Sequence, residues 1–224
     1  MVDIFEEVEA DLRAERMRAL ALRYGKFAAA AAVAVALGVA AWEGMAWQQA
    51  RRQRSVAMAY FTAAQEAVAA TPAGSGNAKA EADFARLAGN DTPAGYRTLA
   101  RLRAAALATD AGQNKLALTL WQEVANDRDA DPLLAGLARL LSVTHRIDGV
   151  RTEAEAKPLE AELQPLLAAG NPWRPMAEEA EALIDIASGD KPAAEKTLTD
   201  LSGDPGTPQG VRGRAAALLA RLSE

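Results

Sequence analysis

The sequence predicts an all-α protein, with one transmembrane helix near the N-terminus followed by an α-solenoid of divergent helix pairs. Three observations lead there. Residues 27–47 read FAAAAAVAVALGVAAWEGMAW, an apolar run with one acid near its end. Residues 48–70 continue with helical spacing and without proline or glycine. A spaced set of glycine, alanine and bulky apolar residues returns at an offset of 77 residues in the C-terminal half. The 224 residues divide accordingly into a head (1–26), a membrane helix (27–47), a helical stalk and linker (48–92) and a helical repeat domain (93–224).

The head alternates acids and bases. Phe5, Val8, Leu12, Ala19 and Leu22 form an apolar stripe at helical spacing, interrupted by Arg16. Glu9 and Arg13 form an acid-before-base pair four residues apart on its polar flank. As a helix, the next 21 residues reach roughly 31 Å, the thickness of a bilayer's hydrocarbon core. A cleaved signal peptide fits less well, because the leader is long and carries six acids. A buried core helix would lack the basic residues found at both ends. Lys26 before the run, and Trp42, Trp47, Arg51 and Arg52 at its other end, are the expected membrane-interface residues. Glu43 reads as an interfacial carboxylate reaching headgroup water. Arg13, Arg16, Arg18, Arg23 and Lys26 precede the run, and Arg51, Arg52 and Arg54 follow it closely. That bias predicts a cytoplasmic N-terminus and, in a bacterial inner membrane, a periplasmic C-terminal domain. There are no cysteines, so disulfides and thiol chemistry are excluded.

Beyond the run, Val56, Tyr60, Ala63, Ala64 and Ala67 mark a helical stripe ending near Thr71-Pro72. Residues 73–77 read as a loop and 77–88 as a helix. Thr92 is the expected N-cap of the next helix, with Pro93 at its first position. The repeat then begins. Aligning Gly112 with Gly189 places Ala117 on Ala194, Trp121 on Leu198 and Val124 on Leu201. A turn glycine lets the chain reverse between antiparallel helices. A small alanine sits where the helices touch, and a bulky residue fills the groove beside it. Between the two matched pairs, Asp131-Pro132 starts a helix with Leu133, Leu137, Leu140 and Leu141 inward, and residues 147–149 break it. Another helix runs from Thr152 or Pro158 to Ala168. Residues 170–175 turn stiffly into a helix over 176–187. A capping helix over 207–222 closes the array with Val211, Ala215, Leu218, Leu219 and Leu222 on one side.

These positions resemble the second-helix signature of the tetratricopeptide family. The first-helix signature is degenerate, with Arg101 and Ala105 where the family favours an aromatic and a glycine. Over nearly its whole length, the chain is also similar to the YfgM-like family, through the head MVDIFEEVEADLR, the single span, AAGNPWRP near Gly170 and the closing RGRAAALLARL. That resemblance implies an ancillary subunit of the SecYEG translocon. The expected partners are translocon subunits, periplasmic chaperones and exported proteins.

Little in the sequence supports catalysis, and no cofactor is implied. His145 is the only histidine, so no multi-histidine metal site can form within one chain. No serine lies in a nucleophile-elbow or phosphate-loop pattern. The acids of residues 127–131 alternate as in a calcium loop, but Pro132 stands at its sixth position and Ala138 at its twelfth, where glycine and glutamate are required. A solvated, helix-capping loop is expected instead. Glu178, Glu179 and Glu181 complement the positive end of their helix. Trp121 falls at a packing position, whereas Trp173 and Arg174 are candidate partner-binding residues. The 17 bases and 23 acids beyond residue 54 disfavour nucleic acid. A non-enzymatic, membrane-anchored adaptor is therefore expected. The alternative is a structural accessory subunit of another inner-membrane complex, such as a respiratory assembly.

Overall fold

The computed structural model describes residues 4–69 and 75–223. Within helix α1 (Ile4–Ala69), the described side chains run continuously from Val33, preceded by Arg18, Arg23, Lys26, Phe27, Ala30 and Ala31. The apolar stripe and the Glu9–Arg13 pair expected in the head lie outside these side chains. So do Ala28, Ala29 and Ala32 of the apolar run, and the loop residues Ala73 and Gly74.

Eight further helices follow among the described residues: α2 (Ser75–Leu87), α3 (Ala94–Asp110), α4 (Asn114–Asn126), α5 (Pro132–Thr144), α6 (Glu153–Leu163), α7 (Arg174–Ser188), α8 (Lys191–Gly203) and α9 (Gln209–Leu222). Short 3₁₀ turns lie at Ile147–Gly149 and Gln164–Leu166, and no strand is present among the described residues. The chain forms two compact units, Met1–Ser55 and Val56–Glu224.

The first unit is helix α1 up to Ser55. Its apolar side chains face outward: Phe27, Val33, Val35, Leu37, Val39, Trp42, Met45 and Trp47 are each more than half exposed. The Arg51 guanidinium lies 5.4 Å from the centre of the Trp47 ring, and the Lys26 ammonium 5.5 Å from that of Phe27. Among the described residues, no helix is long and apolar enough to cross a membrane.

In the second unit each helix from α2 to α9 packs on the next, the arrangement of an α-solenoid. The end of α1 joins α2, α3 and α4 in one core. Phe84 is fully buried there, with Tyr60 5.5 Å away edge-on, beside the small surfaces of Ala63, Ala80, Ala100 and Ala105. Leu159, Leu163 and Ile184 anchor a second core of α5, α6 and α7. A third holds α8 and α9 against α7 through Ala182, Leu198, Leu201, Val211 and Ala215. Leu218, Leu219 and Leu222 of α9 are half-buried against it.

Local chemistry explains the boundaries. The Asp131 side chain accepts the Leu133 N–H at 2.8 Å, with Pro132 as the first residue of α5. Thr152 and Glu155 form a reciprocal capping box, so α6 starts at Glu153 and accommodates Pro158 inside it. Gly189 ends α7 at φ +94°, a left-handed conformation open to glycine, and the Asp190 N–H closes the turn on the Asp185 carbonyl at 2.8 Å.

Several boundaries and faces differ from the sequence-based expectation. Residues 75–77 belong to α2, not to the preceding loop. Pro93 rather than Thr92 flanks α3: at φ −51°, ψ 137° it is extended, and no side chain caps the helix. The Thr92 N–H turns back to the Gly89 carbonyl at 3.1 Å instead. On α5, Leu133 is half exposed and Leu141 lies at the surface, while Gly136, Ala138, Leu140 and Val143 take the buried face. The reason is a tertiary contact: the Trp173 ring lies against Gly136, where an added Cβ would come within 2.8 Å of it, so this face of α5 turns inward.

Candidate protein-binding groove

The hairpin α3–α4 builds the most distinctive surface. Gly112 reverses the chain at φ +71°, and the Gln113 N–H reaches the Ala108 carbonyl at 2.7 Å. Ala117 is fully buried, which lets α4 approach its neighbours closely, and Trp121 one turn later is 5% exposed. The second hairpin, α7–α8, repeats this: Gly189 has positive φ, and Ala194 and Leu198 are fully buried.

Between α3 and α5, with α4 beneath, runs an open groove of about 580 Å³. Leu102 and Ala106 of α3, Trp121 of α4, and Leu141 and His145 from α5 and its end supply its apolar and aromatic lining. Asp110 and Asp148 bring acid to it, and no Lys or Arg lines it. The Trp121 indole N–H has no acceptor among the described residues. The His145 ring stands edge-on to that indole, with centroids 5.4 Å apart. His145, the residue just past the end of α5, is thus half-buried against an aromatic face. The groove can hold an apolar side chain and presents two carboxylates, while the indole N–H of Trp121 is buried away from solvent. Among the described residues no group of His, Asp or Glu is arranged to hold a metal ion.

Ion pairs brace the groove from behind. Arg97 and Arg101, one turn apart on α3, both reach Oδ2 of Asp127, at 2.9 and 3.1 Å. Arg101 also donates to the Ala88 carbonyl and pairs with Glu123, each at 3.1 Å. The Asp129 backbone N–H, followed by the two guanidiniums, holds the Asp127 carboxyl below the usual carboxylate range. The acids of the 127–131 loop therefore serve the fold: Asp127 and Asp129 answer arginines, and Asp131 caps α5. Arg101, at a position where the tetratricopeptide family favours an aromatic, forms ion pairs with Glu123 and Asp127 instead. The spacing Arg97…Arg101 opposite an acid-rich loop was the signal for a latch.

The remaining predicted residues are distributed as follows. Lys26, Trp42, Trp47, Arg51 and Arg52 lie exposed along the first unit. The indole N–H of Trp173 donates to the Leu133 carbonyl at 2.9 Å, and its ring packs on the second core. Arg174 is exposed and pairs with Glu178 on its own helix at 2.7 Å. Neither borders the groove. Glu179, expected to serve the helix dipole, is buried and takes a bidentate pair from Arg214 at 2.6 and 2.5 Å, which ties α9 to α7.

A solenoid of antiparallel helix pairs with glycine turns, small contact residues and a lateral groove defines a helical repeat protein of the binding type. The sequence carries the finer assignment: the family model described as "Tetratricopeptide repeat-like domain" matches residues 22–156, and the chain belongs to that family. No curated protein and no solved structure matches the chain significantly. Domains of this family are typically non-catalytic protein-interaction modules.

Proposed function

We propose that this protein is a non-catalytic, membrane-anchored adaptor that seats a segment of a partner protein in the groove between α3 and α5. The groove itself carries the reading. It combines an apolar lining, a buried tryptophan donor without an acceptor, and unpaired Asp110 and Asp148 with no compensating base. That chemistry suits a segment presenting an apolar side chain beside a basic one. Membership of a protein-interaction family supports the same class of function.

The anchor is the run over residues 27–47. Its support is the row of outward-facing apolar side chains from Val33 to Trp47, bordered by Lys26, Arg51 and Arg52. In this reading the protein is a single-pass component of a bacterial inner membrane with its repeat domain in the periplasm. By resemblance to the YfgM-like family, its partners are Sec translocon subunits, periplasmic chaperones and exported clients.

A photo-crosslinking residue placed at Leu141, with Glu195 on α8 as the control position, tests the groove in native membranes. Translocon subunits or exported chaperones captured at Leu141 and not at Glu195 are the expected result. Equal capture at both positions would remove the groove from the mechanism. Extraction of the protein by alkaline carbonate would remove the anchor.

A further inference from the structure

The second unit begins with residues 56–69 of α1, which bury one side and leave the other bare. Val56, Tyr60, Ala63 and Ala67 pack into the first core. Opposite them, Met58, Phe61 and Val68 are 68%, 59% and 88% exposed. With Gln65 they stand at spacings of three, four and three, the a and d positions of a heptad. In that frame the fully buried Ala63 falls at f, directly opposite the seam. The seam is uncharged. Glu66, the one charged residue of this segment, turns to Lys79 of α2. The Thr62 hydroxyl beside the seam donates to the Met58 carbonyl of its own helix at 2.9 Å. The Gln65 amide is exposed and has no partner among the described residues. The other end of the array is different: Val211, Leu218, Leu219 and Leu222 of α9 are buried or half-buried, so that end is closed as a terminal repeat requires.

We propose that this bare face pairs with the same face of a second copy of the chain, the two helices parallel and in register. A surface that binds its own image must not repel it, and an uncharged face meets that condition. In the parallel pair each level joins identical residues. Met58, Phe61 and Val68 then form apolar layers, and Gln65 meets Gln65. An amide carries both a donor and an acceptor, so it can answer its own copy. A single polar residue at an a position fixes the register and the two-stranded state. An antiparallel pair would set a residues against d residues, placing Gln65 beside Phe61 or Val68 and leaving both amides unanswered. Covering the seam in both copies removes roughly 1,000 Å² from water, the low end for a specific interface, so the pair is reversible. The groove between α3 and α5 shares no residue with the seam, so each pair keeps two grooves.

The chain has no cysteine, so one introduced thiol reports one position. Met58→Cys, Phe61→Cys, Gln65→Cys and Val68→Cys are each made in the full chain, with Ala59→Cys, exposed on the same helix off the seam, as the control. The purified proteins in detergent micelles are oxidised mildly. All four seam thiols are expected to link two copies, and the Ala59→Cys chain to stay single. Disulfides between identical residues at four successive levels require a parallel, in-register pair, since Cβ atoms must come within about 4.5 Å at each. Sedimentation of the cysteine-free chain is expected to show a reversible dimer. Phe61→Ala should weaken it at least about tenfold. Gln65→Glu should abolish it at about pH 8, where two carboxylates face each other, and restore it toward about pH 4. If Phe61→Ala also lowers the unfolding midpoint, the linkage pattern of the single-thiol chains decides. Linkage at one level alone, equal linkage at Ala59→Cys, no association up to about 0.5 mM, or seam thiols that capture a different protein in native membranes and never a second copy would each overturn the proposal.

Discussion

The hairpins α3–α4 and α7–α8 share their apolar plan and differ in how their polar residues are used. At the 77-residue offset, Ala100 corresponds to Ala177, Ala105 to Ala182, Ala117 to Ala194, and Gly112 to Gly189. The three alanine pairs are fully buried, and both glycines are left-handed. The polar positions diverge. Arg97, Arg101 and Asp127 correspond to Arg174, Glu178 and Asp204. In the first hairpin two arginines converge on one part-buried aspartate. In the second, a glutamate replaces the second arginine, Arg174 turns to it along its own helix, and Asp204 is left to cap the following turn through the Gly206 N–H at 2.8 Å. Ala104 and Ala108, both buried, correspond to Glu181 and Asp185. Burial, with the charges of Glu181, Asp190 and Glu160, pushes the Asp185 carboxyl up to about 6. Burial, with Glu160 and Glu178, raises that of Glu181. Close helix approach is therefore what the repeat demands, and the polar frame around it is free to change.

Six substitutions test that difference, read by urea unfolding of the full chain followed by circular dichroism. The largest effect belongs to the groove-filling residue. Trp121→Ala should cost about 3–5 kcal/mol, and Leu198→Ala about 2–5 kcal/mol, so the shared apolar plan should show in both hairpins. Asp127→Ala should cost about 3 kcal/mol, because it leaves two part-buried guanidiniums without their carboxylate. The corresponding Asp204→Ala, at an exposed cap, should cost about 1 kcal/mol. Equal costs would abolish the distinction between latch and cap. Gly112→Ala and Gly189→Ala should each lose about 1 kcal/mol from forcing a Cβ into a left-handed turn.

The smallest effect is on pH dependence. A carboxyl raised in the folded state favours the neutral acid there. Its contribution to stability is fully present below the unfolded value near 4 and is lost as pH rises through about 6. Asp185→Asn should therefore stabilise the protein at about pH 8 by roughly 0.5–1 kcal/mol, with the gap to the unaltered chain closing toward about pH 4. A gap that is constant with pH would show that the carboxylate is not the source.

The helix pairs were legible because their signals are local or periodic. Turn glycines, caps such as Asp131 and Thr152, and alanines at fixed spacing report backbone conformation and contact distance within a few residues. The orientation of α5 was not legible. Leu133 and Leu141 fit a helical stripe as well as Leu140 does, and only the Trp173 ring on Gly136 selects the face. Arg97 and Arg101 likewise look like ordinary surface bases until α4 brings Asp127 to them.

Residue chemistry and spacing sufficed for an all-helical chain, its turns, an apolar run near the N-terminus and the small residues where helices meet, since each depends on near neighbours. The groove between α3 and α5 and the raised carboxyl of Asp185 depended on tertiary structure. Each needs side chains from separate helices to meet, and burial and charge pairing are set by what packs against a residue rather than by what adjoins it in sequence.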